Sequence, residues 1–364
     1  MKTLLLTFLL PLIVACSVNQ KAEKQTISAL DEHFLYIGRV SKTNGNDVRF
    51  TYPGVTIEAR FTGTSVAMLV KPNSGYFMVE LDESDPFKIK VSELDSLVVI
   101  ADSLTDKEHK LRIVYAQEGY EQMPAFRGLQ IDANAKILDA QPISDRKIEF
   151  IGNSITCGYG VEADSATAHF SYDTENHYYT YAAITARTLK AQELVVSRSG
   201  IGIYKNYGGP IEGSAGFTMP DKYELTLFTD AAVTDTMERW NHNLFIPNVV
   251  CVNLGTNDTS LDTYDTSLMK TAYTNFVKHL RQIYPNAKIV LLTGSMMSGK
   301  ALTDCKQVLD HVITDLADTA LYRFDFTPQN GSLGYGADYH PSKQQHQLMA
   351  DELIPFIREI TGWE

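Results

Sequence analysis

Lys147-Ile148-Glu149-Phe150-Ile151-Gly152-Asn153-Ser154-Ile155-Thr156 decides how the second half of this chain is read. A short apolar run ends in a glycine that permits a tight exit, and a serine follows. Such runs suit strands buried on both faces of a parallel sheet. Leu194–Ser197, Val249–Leu254, Ile289–Thr293 and Tyr322–Phe326 share this character. Two helical stripes lie between them. One runs Met269, Ala272, Tyr273, Phe276, Leu280, Ile283 and stops at Pro285-Asn286; the other runs Leu302, Cys305, Leu309, Val312, Leu316. Ser342 reads as the N-cap of a last helix that Pro355 should kink or interrupt. Strands alternating with helices predict an α/β domain over residues 143–364, a parallel sheet flanked by helices. Reactive residues of such sheets gather at the carboxyl ends of the strands.

Upstream the period is two. In Val55-Thr56-Ile57-Glu58-Ala59-Arg60-Phe61 every second residue is apolar, and Phe77, Val79 and Leu81, Ile89 and Val91, and Leu111, Ile113 and Tyr115 repeat the pattern. Turn signals such as Pro53-Gly54 and Pro72-Asn73-Ser74-Gly75 separate the runs. This predicts an antiparallel β-sandwich over residues 31–142. No catalytic grouping stands out in it.

The N-terminus reads as an address. Lys2 precedes the apolar run Leu4–Ala15, too short to span a membrane, so residues 1–15 are expected to be a signal peptide. Ile13-Val14-Ala15-Cys16 resembles a bacterial lipobox, which makes Cys16 the expected lipid anchor and residues 16–30 a tether. The implied location is the bacterial cell envelope, with Ser17 favouring the outer membrane.

A length of 364 residues suggests two domains, and 44% hydrophobic with 21% charged residues is ordinary globular composition. The net charge of −12, or 31 − 44 = −13 without the Lys2-bearing signal, argues against nucleic acid and suits an uncharged or esterified ligand. Cys157, Cys251 and Cys305 are odd in number and lack metal-ligand spacing; they read as packed free thiols, with no metal or cofactor expected.

The chemistry concentrates in three stretches: Gly152-Asn153-Ser154-Ile155-Thr156, Gly255-Thr256-Asn257-Asp258 and Asp338-Tyr339-His340-Pro341. Ser154, just past a strand, is the candidate nucleophile and needs a base. His340 is the best base among nine histidines, since it alone follows a Gly-rich loop, residues 331–338, directly before a helix. The Ser154 N–H, the Asn257 amide and a glycine N–H from Ser199-Gly200-Ile201-Gly202 could form an oxyanion hole, with Gly202 preferred to Gly200.

In this order the blocks resemble those of the SGNH (GDSL-type) hydrolases. Phe150-Ile151-Gly152-Asn153-Ser154-Ile155-Thr156-Cys157-Gly158-Tyr159-Gly160, Asn253-Leu254-Gly255-Thr256-Asn257-Asp258 and His340-Pro341-Ser342 resemble, more narrowly, carbohydrate esterase family 2. The resemblance implies a jelly-roll sandwich joined to an SGNH domain. It also implies removal of O-acetyl groups from plant polysaccharides, often from O-6 of hexoses, without metal or cofactor. Aromatics that stack on sugars are implied near Tyr207 and Tyr339. The chain departs from the SGNH pattern twice. Asn153 stands where aspartate is usual, and Ala337 stands where the triad acid belongs, three residues before His340. A Ser154–His340 dyad with a backbone carbonyl orienting the imidazole is therefore expected, with Asp338 as the alternative orienter. Two other readings are an esterase acting on lipid or aryl esters and a non-catalytic glycan-binding surface lipoprotein.

Overall fold

The computed structural model describes residues 23–139 and 144–364. The expected signal, Cys16, the tether up to residue 22 and the junction at 142–143 lie outside the described residues. The first half is two antiparallel sheets. One orders strands Ser41–Asn44, Asp47–Arg49, Ala125–Asp132, Val66–Val70 and Leu97–Ala101, with Lys24–Ser28 also pairing on Ala125–Asp132. The other orders Ile137–Leu138, Thr56–Gly63, Lys107–Tyr115, Gly75–Leu81 and Phe87–Val91, with Leu35–Ile37 added on Thr56–Gly63. Alternate residues such as Ile57, Phe61, Phe77, Ile113 and Phe126 fill the space between them, as the period of two requires.

Lys24–Ser28, expected to belong to a tether over residues 16–30, is a strand instead. Its sequence, Lys-Gln-Thr-Ile-Ser, is polar at all but one position. An edge strand needs no apolar face, and charge there discourages further pairing.

The second half is a five-stranded, all-parallel sheet in the order Gln192–Ser197, Lys147–Gly152, Val249–Asn253, Lys288–Thr293, Leu321–Asp325. Alternate strand residues feed two separate cores. Ile151, Val250, Val252, Ile289 and Leu291 meet helices Thr266–Ile283 and Gly299–Leu316 on one face. Ile148, Phe150, Val249, Cys251 and Val290 meet helices Tyr181–Thr188 and Lys343–Thr361 on the other. Ser342 caps the last helix by accepting the Gln345 N–H. Pro355 does not interrupt that helix. It lies on the exposed side together with Asp351, whose carbonyl loses its helical partner and can turn to water.

Taken in chain order, the strands run 2-1-3-4-5 across the sheet, so the order reverses between Lys147–Gly152 and Val249–Asn253. The crevice at such a reversal is the natural site for a ligand. Ser154 and Asn257 lie just past its two walls.

The halves share a core. Ile37 and Tyr52 of the sandwich pack among Tyr223, Phe228 and Trp240. Arg39 enters fully buried, pairs with Glu149 at 3.3 Å and sits 4.8 Å from the Tyr223 ring centre.

Candidate active site

Asn153 starts the short helical turn Ser154–Cys157, its side chain accepting the Ile155 N–H, and so sets Ser154 at the strand's exit. Asparagine fills this cap as aspartate would. The Ser154 hydroxyl lies 2.9 Å from His340 Nε2, and His340 Nδ1 lies 3.0 Å from the Ala337 carbonyl oxygen. A carbonyl can only accept, so Nδ1 carries the proton and Nε2 is left to take the serine's.

The loop behind His340 is stitched down by backbone bonds. Ala337 N–H donates to Gly160 O, Asp338 N–H to Ala168 O and Tyr339 N–H to Ala166 O. Ala337 is fully buried against Gly160, where an added Cβ would come within 2.3 Å of the Ala337 Cβ. Asp338 is turned away from the imidazole. Its carboxylate accepts the Tyr159 hydroxyl at 2.6 Å and pairs with His169 Nδ1 at 3.0 Å. These partners, the Tyr159 hydroxyl foremost, hold Asp338 below the usual carboxylate range. The Tyr159 ring stacks on His340 with centroids 4.0 Å apart and planes at 21°. Burial brings the His340 pKa down to about 4, against smaller opposing effects of the Ala337 carbonyl and Asp338.

Ser154, His340 and Asn257 share one cavity of about 490 Å3 with Gly200, Ser199 and Tyr207. One Asn257 amide hydrogen goes to the Ile201 carbonyl at 2.8 Å, which leaves the other for a ligand. Neither the Ser154 nor the Gly200 N–H has an acceptor among the described residues.

Gly202, the glycine expected in the oxyanion hole, does not border the cavity. Its N–H donates to Asn206 Oδ1 at 3.0 Å, and a Cβ there would fall 2.0 Å from Lys205 O and 2.7 Å from an Asp258 oxygen. Gly202 is needed for close packing, and Gly200 is the glycine that borders the cavity. Asp258 causes that packing. Its buried carboxylate accepts the N–H groups of Ile203, Tyr204, Lys205 and Gly255, which ties the second and third strand exits together.

Tyr207 borders the cavity and is 63% exposed. Tyr339 does not border it; its ring meets Tyr335 edge-on at 5.5 Å. The turn that points it away has positive φ at Asp338 and Tyr339, which a sequence-spacing argument does not foresee. Cys157 is a buried thiol donating to Ser197 Oγ at 3.2 Å, and Cys251 and Cys305 are also buried and free. Burial raises the Cys157 thiol's pKa well above the usual value, which keeps it protonated and poor as a metal ligand.

Two contributors were not singled out from sequence. Tyr159 stood inside the quoted motif, five positions after the serine, with nothing to mark it off from the other tyrosines. Ser199 stood beside the two glycines weighed as donors. Its N–H and hydroxyl are both held by Glu118, a residue of the sandwich half.

A hydroxyl bonded to an oriented imidazole, beside unspent donors at the carboxyl edge of a parallel sheet, defines an ester hydrolase of the serine-dependent, GDSL-like class. Comparison with known proteins agrees. Residues 36–141 match the carbohydrate esterase 2 N-terminal domain, and residues 150–348 match the GDSL-like lipase/acylhydrolase family. The chain is 34% identical over 345 residues to the cellulase/esterase CelE of Acetivibrio thermocellus, covering 94% of this chain but only 41% of CelE. It is 27% identical over 355 residues to an acetylxylan esterase/glucomannan deacetylase of Cellvibrio japonicus, covering 96% of this chain and 95% of that one. The structure of a family two carbohydrate esterase from Clostridium thermocellum, in complex with cellohexaose, matches with a TM-score of 0.81 at 34% identity, over 91% of this chain and 100% of that one. The chain belongs to carbohydrate esterase family 2.

Proposed function

We propose that this protein removes O-acetyl groups, with O-6 of hexose units the favoured position, from hemicellulose or its oligosaccharides. The observation that carries the reading is the Ser154 Oγ to His340 Nε2 contact of 2.9 Å, with Nδ1 turned to the Ala337 carbonyl. Ser154 Oγ attacks the acetyl carbonyl carbon while His340 Nε2 takes its proton. The tetrahedral oxyanion is held by the Ser154 and Gly200 N–H groups and the free Asn257 amide hydrogen. His340 then returns the proton to the departing sugar oxygen, leaving acetyl-Ser154. Water, deprotonated by the same imidazole, attacks that ester and frees acetate. Tyr159 stacks on the ring that becomes imidazolium and favours its charge.

Three features support a sugar ester over a lipid ester. Ser199, Thr256, Asn257 and Ser260 border the cavity alongside Tyr159, Tyr207 and Met296, which sets hydrogen-bonding groups beside aromatic surface as a sugar requires. Exposed Tyr207 at its rim suits the apolar face of a pyranose. The Cellvibrio japonicus relative is an acetylxylan esterase/glucomannan deacetylase. Acetate release from acetylated xylan, glucomannan and defined 6-O-acetyl sugars tests the substrate. Faster hydrolysis of p-nitrophenyl octanoate than of the acetate overturns it. Unchanged acetate release by Ser154→Ala removes the serine mechanism.

The N-terminal address belongs to the same reading: a signal over residues 1–15 and acylation of Cys16, which would hold the enzyme at the cell envelope. Palmitate labelling lost in Cys16→Ala is the expected result, and a soluble, unlabelled wild-type protein refutes it.

A further inference from the structure

Beneath the Ser199–Gly200 loop lies a buried pair of carboxyl groups. Glu118 comes from the sandwich half, three residues past the end of strand Lys107–Tyr115, and is 3% exposed. Its Oε1 accepts the Ser199 N–H at 2.7 Å and its Oε2 accepts the Ser199 hydroxyl. The loop next to the nucleophile is thus pinned from the other domain at two points. Behind Glu118 stands Glu175, fully buried, whose Oε2 accepts the Glu118 N–H at 3.2 Å. Its other oxygen, Oε1, is buried with no donor facing it. A carboxyl oxygen of each glutamate and Cys157 Sγ lie within 4.8 Å of one another.

Two buried carboxylates at this spacing cannot both stay ionised. The charges around them do not remedy this. Glu175 faces Glu118, the Cys157 thiol and the Tyr115 hydroxyl, and is also approached by Lys88, whose ammonium lies 3.2 Å from the Glu175 backbone oxygen and is paired with Glu162. The Arg198 guanidinium is near Glu118 but is engaged with Asp230 and Tyr120. Glu118 already accepts from Ser199 with both of its oxygens. The orphan Glu175 Oε1 is the place for a proton.

We propose that Glu118 is a positioning residue that fixes the oxyanion loop Ser199–Gly200 from the sandwich domain, and that Glu175 keeps it there as a protonated acid sharing one proton with it. Desolvation, then the neighbouring Glu118 charge, raise the Glu175 pKa well above the usual carboxylate range. Loss of one Glu118 oxygen would let Ser199 and the adjacent Gly200 N–H drift from the place where oxyanion charge develops, and a misplacement of about 1 Å costs on the order of 100-fold in rate. The β-sandwich thereby becomes part of the acyl-transfer machinery.

The inference rests on the serine acyl-transfer reading, and two measurements keep their failures apart. In steady-state hydrolysis of p-nitrophenyl acetate, Glu118→Gln, which can accept only one of the two Ser199 bonds, is expected to lower kcat roughly 10- to 100-fold with KM little changed. Glu175→Gln, whose amide can donate to Glu118 as the acid does, should lose much less. Equal losses in the two variants, or wild-type kcat in Glu118→Gln, overturn the proposal. If Glu118→Gln does not fold, Ser199→Ala removes one of the bonds, and an unchanged kcat there overturns it equally.

The second measurement needs no activity. Unfolded Glu175 ionises near pH 4.3 while the folded residue stays protonated to higher pH, so the folded state binds the extra proton between those values. Its stabilising share is complete below the lower value and is lost as pH rises toward the folded pKa. The folding constant of wild type relative to Glu175→Gln should therefore fall about tenfold per pH unit from about pH 5 upward in denaturant titrations. Parallel curves overturn the shared proton. Ser154→Ala with undiminished acetate release would instead overturn the serine reading and leave the stability result standing.

Discussion

Asp338→Asn separates a dyad from a triad. In enzymes whose histidine leans on an aspartate, removing that charge lowers kcat by about 10⁴, because the imidazole loses its tautomer and its orientation. In the proposed dyad both tasks fall to the Ala337 carbonyl, 3.0 Å from Nδ1, while the Asp338 oxygens meet the Tyr159 hydroxyl and His169. Asparagine is the correct replacement. Residue 338 has φ of 47°, which asparagine tolerates and most residues do not, and its side-chain oxygen can still accept the Tyr159 hydroxyl. What disappears is one charge, the last of the influences on His340 after burial and two backbone contacts. The expected loss in kcat/KM is within about tenfold, or 1.4 kcal/mol of transition-state stabilisation. The assay is steady-state p-nitrophenyl acetate hydrolysis at pH 7.5, with circular dichroism to establish folding. A folded variant down 1000-fold or more would falsify the assignment and make Asp338 the orienting acid.

Three further outcomes follow from the same geometry. Since burial holds His340 at about 4, the base is neutral at pH 7, and kcat/KM should be flat through neutrality and decline only as pH falls through about 4. An acid limb centred near 6.5, the value of a free histidine, contradicts this. Asn257→Ala should reduce kcat roughly 100- to 1000-fold by removing an oxyanion donor, and Asn257→Asp more, since it sets a carboxylate where negative charge develops; a change within fivefold in either refutes the role. Arg39→Met strands the buried Glu149 charge and should destabilise the protein by about 3–5 kcal/mol, while Arg39→Met with Glu149→Leu should recover most of the loss, as read from denaturant midpoints. An additive double mutant would show the pair is not coupled.

The parts of this molecule that follow from periodicity were legible in the sequence. Apolar runs gave all five strands of the parallel sheet to within a residue or two, because burial on both faces leaves little freedom of composition. Strand Lys24–Ser28 was not legible, since an edge strand satisfies its backbone without an apolar face. Ser154, Asn257 and His340 were legible because each follows a recognisable exit from a strand or loop. The preference for Gly202 over Gly200 had no local basis, because both lie in the same short loop. The decision rests with Asp258 and Asn206, which reach Gly202 through the folded chain. Tyr339 is absent from the cavity's border for a related reason: adjacency to His340 says nothing of direction once φ turns positive. Glu118 carried no local signal at all, since its partner is a loop of the other domain.

Ala337, which stands where the triad acid is usual, packs closely against Gly160. Position 337 is fully buried, its backbone N–H bonded to Gly160 O, and a Cβ at residue 160 would meet its Cβ at 2.3 Å. That contact joins the nucleophile loop to the base loop. The same join fixes the Ala337 carbonyl, which accepts both the His340 N–H and Nδ1–H. In the proposed dyad a rigid neutral dipole thus selects the tautomer, at the cost of a weaker base than an aspartate would give. A base near pKa 4 is wholly in its active form at neutral pH, so no fraction of enzyme is lost to protonation. The deficit falls on the imidazolium in the transition state. There the stacked Tyr159 ring, and the Asp338 charge behind its hydroxyl, act on the positive charge as it forms. Tyr159 is thereby the side chain whose loss should matter more than that of Asp338, since it alone touches the ring that changes charge.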